Sequence, residues 1–225
     1  MKLGVLFSGG KDSTYAAYLA SKEHELVCLI SMKSDNPDSY MFHTPNIDLV
    51  LYQAEAMDLP LVIGNTKGEK EVELEDLEET IKKAKEEYNL DGIITGALYS
   101  DYQRERIEKI AEKLNLKVIS PLWHKNQEKY MRELIENKFE IIFSSVAADG
   151  LDKSWLGRII TNEDIDKLVE LNKKNGLNIA LEGGEAESFV LNCPLFKKRL
   201  KILKSRVVEE NKSVAKLIID EVKLN

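Results

Sequence analysis

Two cysteines and three histidines in 225 residues leave little with which to staple or metallate the chain. The cysteines are too few for a disulfide framework. Cys28 and Cys193 also share no spacing with the scattered histidines that would hold a structural zinc ion, so no metal site is expected. Cys28 lies in an apolar run and reads as a small core residue, which suits a reducing compartment. A basic excess is missing as well: 32 Lys and Arg stand against 39 Asp and Glu, a formal charge of −7. Nothing global therefore draws the chain to a polyanion; only a local basic patch could hold RNA, and no nucleic-acid partner is expected. No apolar run approaches the ~20 residues of a membrane span, and the run entered at Leu3 meets Gly9-Gly10 before the apolar stretch of a signal peptide could finish. No membrane partner is expected, and the cytoplasm is the expected location. Repeats and low-complexity tracts are absent, and 43% hydrophobic residues argue against disorder.

What is present is an alternation of short β-rich apolar runs with helical segments, the pattern of an α/β fold with a parallel sheet. Strands are expected at 2–7, 26–31, 61–63, 92–95 and 117–120, and helices at 13–22, 46–57, 73–88 and 101–115, where Leu74, Leu77, Ile81 and Ala84 make one apolar stripe. Pro121 and the polar run 125–129 mark the expected end of this domain, giving 1–124 and a second domain over 125–225. In the second domain a helix is expected at 127–137 and a strand at 140–147. Another helix, capped by Thr161, should stop at Asn175-Gly176, and two strands, 200–208 and 215–222, should join across residues 210–213. The cluster Lys197, Lys198, Arg199 and Lys201 reads as a solvated face.

Between the first strand and the first helix stands Ser8-Gly9-Gly10-Lys11-Asp12-Ser13. Glycines at this junction let backbone amides point at an anion seated on the helix N-terminus. Ser8 and Ser13 add hydroxyl donors and Lys11 adds charge. Asp12 can fix the loop or help orient a magnesium ion through water, since one carboxylate seldom holds that ion unaided. Lys11 and Asp12 are expected to be exposed. The spacing is neither that of a P-loop nor that of a dinucleotide fingerprint, and the bland alternative is a tight capped turn. The setting favours the ligand reading, because ligands bind at the carboxyl ends of parallel strands.

Three further stretches stand out. At the end of the fourth expected strand, Gly96 and Ala97 are small enough for a nucleotide to approach. Past Tyr99 and Tyr102, the residues Gln103, Arg104 and Arg106 either place donors over phosphate or substrate oxygens or form a charged helix face. The loop-rich segment 144–158 holds Ala147-Ala148, Gly150-Leu151-Asp152 and Trp155-Leu156-Gly157-Arg158, with Trp155 also readable as core. Finally, Glu182-Gly183-Gly184-Glu185-Ala186-Glu187-Ser188 is either an acidic turn or a site for a cationic substrate group.

Residues 8–13 resemble the signature of the PP-loop ATP pyrophosphatases, in the adenine nucleotide alpha hydrolase-like superfamily. Together with the Gly-Ala…Asp-Tyr-Gln-Arg and Glu-Gly-Gly-Glu-Ala-Glu-Ser stretches, they resemble the diphthine-ammonia ligase family over essentially the whole chain. The resemblance implies a HUP, Rossmann-like sheet of five parallel strands with flanking helices, followed by a smaller C-terminal α+β domain. It implies ATP and Mg2+ as cofactors, ammonium as co-substrate, and translation elongation factor 2 as protein partner, whose diphthine is amidated through an acyl-adenylate with release of AMP and pyrophosphate.

By the same resemblance the nucleotide lies on the N-terminal domain. It would be held by Ser8, Gly9, Gly10, Lys11, Asp12, Ser13, Ser31, Met32, Gly96, Ala97 and His43, which sits in a long polar loop where such enzymes close over ATP. The substrate side falls to Tyr99, Tyr102, Gln103, Arg104, Arg106, Glu182, Gly183, Gly184, Glu185 and Glu187. The catalytic set is Lys11, Asp12, Glu185 and Glu187, the last two steering ammonium or holding diphthine's quaternary ammonium. His124, after Trp123, reads as structural. The chain departs from the family pattern at Ala186, where an aromatic is expected, and at Asn192-Cys193, where an acidic or small pair is expected. A tRNA-modifying enzyme of the same superfamily is the alternative, opposed by the lack of a Cys-x-x-Cys pair and of a basic extension; a non-catalytic adenine-nucleotide sensor is another. A homodimer is left open.

Overall fold

Lys2–Leu6 forms the central strand β1, its apolar residues buried on both sides as a strand sandwiched by helices requires. In the computed structural model, which describes residues 1–36, 47–69 and 72–225, it is joined by β2 (Glu25–Ser34), β3 (Leu61–Thr66), β4 (Gly92–Ile94) and β5 (Lys117–Ile119). The order is β3-β2-β1-β4-β5, with every pairing parallel. Helices α1 (Lys11–Ala20), α2 (Val50–Met57, after a 3-10 turn Ile47–Leu49), α3 (Val72–Tyr88) and α4 (Asp101–Lys113) supply the connections. Alternation along β2 sends Cys28, Ile30 and Met32 to one face, where they pack with Val62, with Leu77, Ile81 and Ala84 of α3, and with Ile107, Ile110 and Ala111 of α4. α1 packs against β1 and β4.

The expected elements are all present, with shifted ends. β2 and β3 run on together to Ser34 and Thr66, because a paired backbone needs no apolar side chain to continue. The second helix begins at Val50 behind its 3-10 turn, and the expected start at residue 46 falls outside the described residues. The first helix starts two residues early, at Lys11, with Gly10 as its N-cap, so Lys11 and Asp12 are helical residues and not loop.

The chain divides into two compact units, Met1–Trp123 and His124–Asn225. The second holds α5 (Gln127–Glu136), β6 (Glu140–Ala147), a 3-10 turn (Lys153–Trp155), α6 (Asn162–Asn175), β7 (Ala186–Asn192), β8 (Leu200–Asn211) and β9 (Val214–Leu224). Its sheet is antiparallel, in the order β7-β6-β9-β8. Asn126 caps α5 through a hydrogen bond from the Lys129 amide at 2.9 Å. Thr161 and Asp164 form a capping box on α6, and Gly176, at φ 79°, ends it in the left-handed conformation.

β7 was not anticipated from the sequence. Four consecutive residues, Ser188 to Leu191, are buried, so the strand lacks the alternation that betrays a half-buried one. The β8-β9 turn is also tighter than expected: two residues, Lys212-Ser213, instead of four.

Candidate active site at the carboxyl end of the parallel sheet

Strand order reverses direction on either side of β1, since β2 and β3 lie to one side and β4 and β5 to the other. The crevice past the carboxyl ends of β1 and β4 is the topological switch point, and residues 8–13 sit there. Gly9 adopts φ 78°, open to glycine at little cost, and a Cβ there would also meet Gln53 Oε1. Gly10 leads into α1 in extended conformation as its N-cap and, being glycine, brings no capping side chain of its own, so the positive end of the helix faces the loop.

The loop is braced from within. Ser13 Oγ accepts from the Ser8 amide at 3.3 Å and lies 3.2 Å from Ser8 Oγ, which in turn accepts from the Gly10 amide at 3.4 Å. Thr14 Oγ1 donates to the Gly10 carbonyl at 2.8 Å. Gln53, fully buried on α2, donates from Nε2 to the Gly9 carbonyl at 2.9 Å. Thr14 and Gln53 were missed in the sequence. Gln53 stands 44 residues from its partner, and a single glutamine in a mostly apolar helix gives no local sign of such a contact.

Lys11 is not the exposed residue expected. Only 2% of it is exposed, and its ammonium lies 2.9 and 2.8 Å from the two oxygens of Asp12, whose side chain is a quarter exposed. Starting the helix at Lys11 turns that side chain inward, so the positive charge is held in place by the neighbouring carboxylate at the mouth of the loop.

Gly96 follows β4, and a Cβ there would lie 2.7 Å from both the carbonyl carbon of Asp12 and the amide nitrogen of Ser13. The missing side chain is thus needed first by the close approach of α1. Ala97 is buried, and its amide is held by Thr95 Oγ1 at 3.2 Å. Ser31 is buried with its hydroxyl bonded to the Phe7 carbonyl at 2.6 Å, tying β2 to the residue before the loop. Met32 belongs to the hydrophobic core on the α3 and α4 face. His43 lies outside the described residues.

Ser100 caps α4 by accepting from the Gln103 amide at 3.3 Å. The two arginines of this stretch part company. The Arg104 guanidinium lies 4.5 Å from the centre of the Trp123 ring, with Asp101 and Glu108 carboxylates at 3.9 and 3.7 Å. That of Arg106 lies 3.4 Å over the ring of Tyr102 on its own helix and donates to the Tyr102 carbonyl. Tyr99 is exposed and Gln103 half-buried. Trp123 carried no signal in the sequence, because its role exists only once the chain after β5 returns beside α4.

In the second unit residues 182–185 form a turn. Glu185 braces it: its oxygens accept from the Asn178 amide at 3.2 Å and the Gly183 amide at 2.7 Å. Glu182, Gly183 and Gly184 are exposed, and Gly184 has φ 85°. Glu187, half-buried on β7, stands opposite Ser145 on β6, and its amide donates to Ser145 Oγ at 3.3 Å. A register shift between Phe143 and Ser145 makes a bulge at this point, a device that re-aims side chains.

The family description "Diphthamide synthase N-terminal domain" matches residues 1–118 and "Diphthamide synthase C-terminal domain" matches residues 126–223. The chain belongs to the diphthamide synthase family. A diphthine–ammonia ligase of Rattus norvegicus is 39% identical over 228 residues, which cover 92% of this chain and 85% of that one. One of Schizosaccharomyces pombe is 38% identical, covering 94% of this chain and 38% of the longer relative. Among solved structures, a "predicted subunit of tRNA methyltransferase" from Methanocaldococcus jannaschii is 17% identical with a TM-score of 0.42, covering 86% of this chain and 98% of its own.

Ala186, at the start of β7, and Cys193, just after its end, are buried, while Asn192 between them is half-buried. Burial pushes the Cys193 thiol up to about 12. Burial, with the Glu87 carboxylate adding to it, does the same for Cys28. Neither is a nucleophile at neutral pH. Among the described residues no helix is long and apolar enough to cross a membrane.

Proposed function

We propose that this diphthamide synthase chain joins ammonia to the carboxylate of diphthine on translation elongation factor 2, converting ATP to AMP and pyrophosphate. The observation that carries the reading is the glycine loop at the switch point, with Gly10 as the N-cap of α1 and an inward, carboxylate-held lysine, in a chain matched by both family domains.

A carboxylate does not react with ammonia in water, because oxide would have to leave. In the proposed sequence a diphthine carboxylate oxygen attacks the α-phosphorus of ATP and the bond to the bridging oxygen of the β-phosphate breaks. Ammonia then attacks the acyl carbon, a proton is lost, and AMP departs as the amide forms. Charge grows on the departing pyrophosphate in the first step. The amides at the start of α1 and the Lys11 ammonium are the groups preorganised to meet it, and single donors of this kind are worth roughly 3 to 4 kcal/mol. Because Lys11 is held by Asp12, little reorganisation is needed when the anion arrives.

Among the described residues no three His, Cys, Asp or Glu side chains converge on a metal site. Asp12 would help orient, through water, a magnesium ion brought by the triphosphate, whose own oxygens would hold most of it. Such an ion would neutralise phosphate charge. On the acceptor side Glu185 braces its own turn, and Glu187, half-buried beside the bulge of β6, is the proposed residue for diphthine's quaternary ammonium or for ammonium. Arg104, held over Trp123, is the proposed contact to the acceptor's carboxylate, with Tyr99 and Tyr102 as further proposed contacts.

The test is mass spectrometry of diphthine-bearing elongation factor 2 incubated with the protein, ATP and ammonium. Conversion of the carboxylate to an amide, dependent on all three additions, is the expected result. An unchanged acceptor accompanied by no AMP would overturn the reading.

A further inference from the structure

The four-stranded sheet of the second unit ends in two unlike edges. β7 is buried along most of its length, whereas β8 is exposed from Leu203 to Asn211. Along that edge Leu203, Val207 and Val208 are 48, 46 and 42% exposed, an unusual concentration of apolar surface on a strand whose outer backbone groups face solvent. Charge along the strand is also segregated: Lys201, Lys204 and Arg206 precede the two valines, and Glu209 and Glu210 follow them.

We propose that β8 pairs antiparallel with β8 of a second copy of this chain, joining two four-stranded sheets into one of eight. A strand that is cationic at one end, apolar in the middle and anionic at the other complements itself when a two-fold axis reverses it. The ladder with β9 is regular from Ser205 to Glu209, with register shifts on both sides, and the midpoint of that stretch is Val207. An axis through Val207 sets Val207 against its copy, Lys204 against the partner copy's Glu210, and Arg206 against the partner copy's Val208; no like charges oppose. In the single chain Glu210, Glu209 and Arg206 make exposed ion pairs with Lys216, Lys153 and Asp220. Such pairs contribute little, so exchanging them across an interface is cheap. The contact is short, at the lower end of specific interfaces, and dissociation in the micromolar range is expected.

Sedimentation of the full chain across that concentration range tests it. Wild type is expected to pass from monomer to twice the monomer mass, and Val207→Lys to stay monomeric with an unchanged far-ultraviolet spectrum. Lys204→Glu and Glu210→Lys, each setting like charges opposite, are expected to weaken the dimer at least tenfold. An equimolar mixture of the two restores it, because each then supplies the other's opposite charge. A wild type monomeric throughout would overturn the proposal and would show that the lysines guard the edge. A dimer indifferent to all these changes, or one that the mixture fails to restore, would place the contact elsewhere.

Discussion

Lys11 and Asp12 act as a pair, and the two substitutions are expected to differ. Lys11→Met removes a buried charge and replaces it with a side chain of similar reach, so the fold should hold while AMP formation falls by about 10²- to 10³-fold, measured by nucleotide chromatography. Asp12→Ala takes away the carboxylate that holds a buried ammonium, so a lowered melting temperature should accompany the lost turnover. A thermal midpoint unmoved by Asp12→Ala would mean the ion pair does not organise the loop. Arg104 offers a second separation. Trp123→Leu withdraws the ring beneath the guanidinium and is expected to lower kcat/KM for the acceptor roughly three- to tenfold, with Trp123→Phe keeping most of it. Equal losses in both variants would make Trp123 a packing residue only.

At the scale of elements, the start of α1 is held by what β4 lacks. Gly96→Ala drives a methyl group into the backbone of Asp12 and Ser13, and should destabilise the protein by about 1–3 kcal/mol while weakening nucleotide binding. Denaturation and calorimetry on the same sample check both, and retention of full affinity would separate the loop from β4. The N-terminus of α6 sets a pH dependence. Burial pushes the Asp164 carboxyl up, but hydrogen bonds from Arg158 at 2.6 Å and from Thr161 outweigh it and hold its pKa at about 2. Its folded pKa lies below the ordinary value of 3.8. The stability it contributes, about 2 kcal/mol, is therefore complete above pH 4 and is lost as pH falls toward 2. Asp164→Asn should flatten that part of the stability curve; an unaltered acid limb would count against the assignment.

For the whole molecule the proposal keeps ATP binding on the first unit and asks of Glu187, in the second, a part in acceptor chemistry only. Glu187→Gln should then bind ATP like wild type by calorimetry while failing to amidate diphthine. A tenfold loss of ATP affinity with amidation otherwise intact would put Glu187 in the nucleotide site. The nucleotide products expected in the presence of acceptor are AMP and pyrophosphate. ADP would move the chemistry to another class of phosphoryl transfer.

Hydrophobic period and glycine placement were enough, from the chain alone, to determine a five-stranded parallel sheet with its glycine loop after the first strand. Those signals are local, and each element announces itself within a few residues. The acidic turn and the arginine stretch were likewise legible as positions. Their employment was not. Whether Lys11 points out or in depends on where α1 starts, and α1 can start at Lys11 because Gly96, more than eighty residues on, leaves room for its backbone. Gln53 reaches Gly9, Trp123 lies against Arg104, and Glu185 turns back on its own loop through contacts that follow from packing and have no counterpart in sequence spacing. β7 stayed hidden because burial on both faces erases alternation, and only its pairing with β6 makes it a strand. Periodicity records which face of an element meets the core; which side chains meet one another is decided when the elements pack.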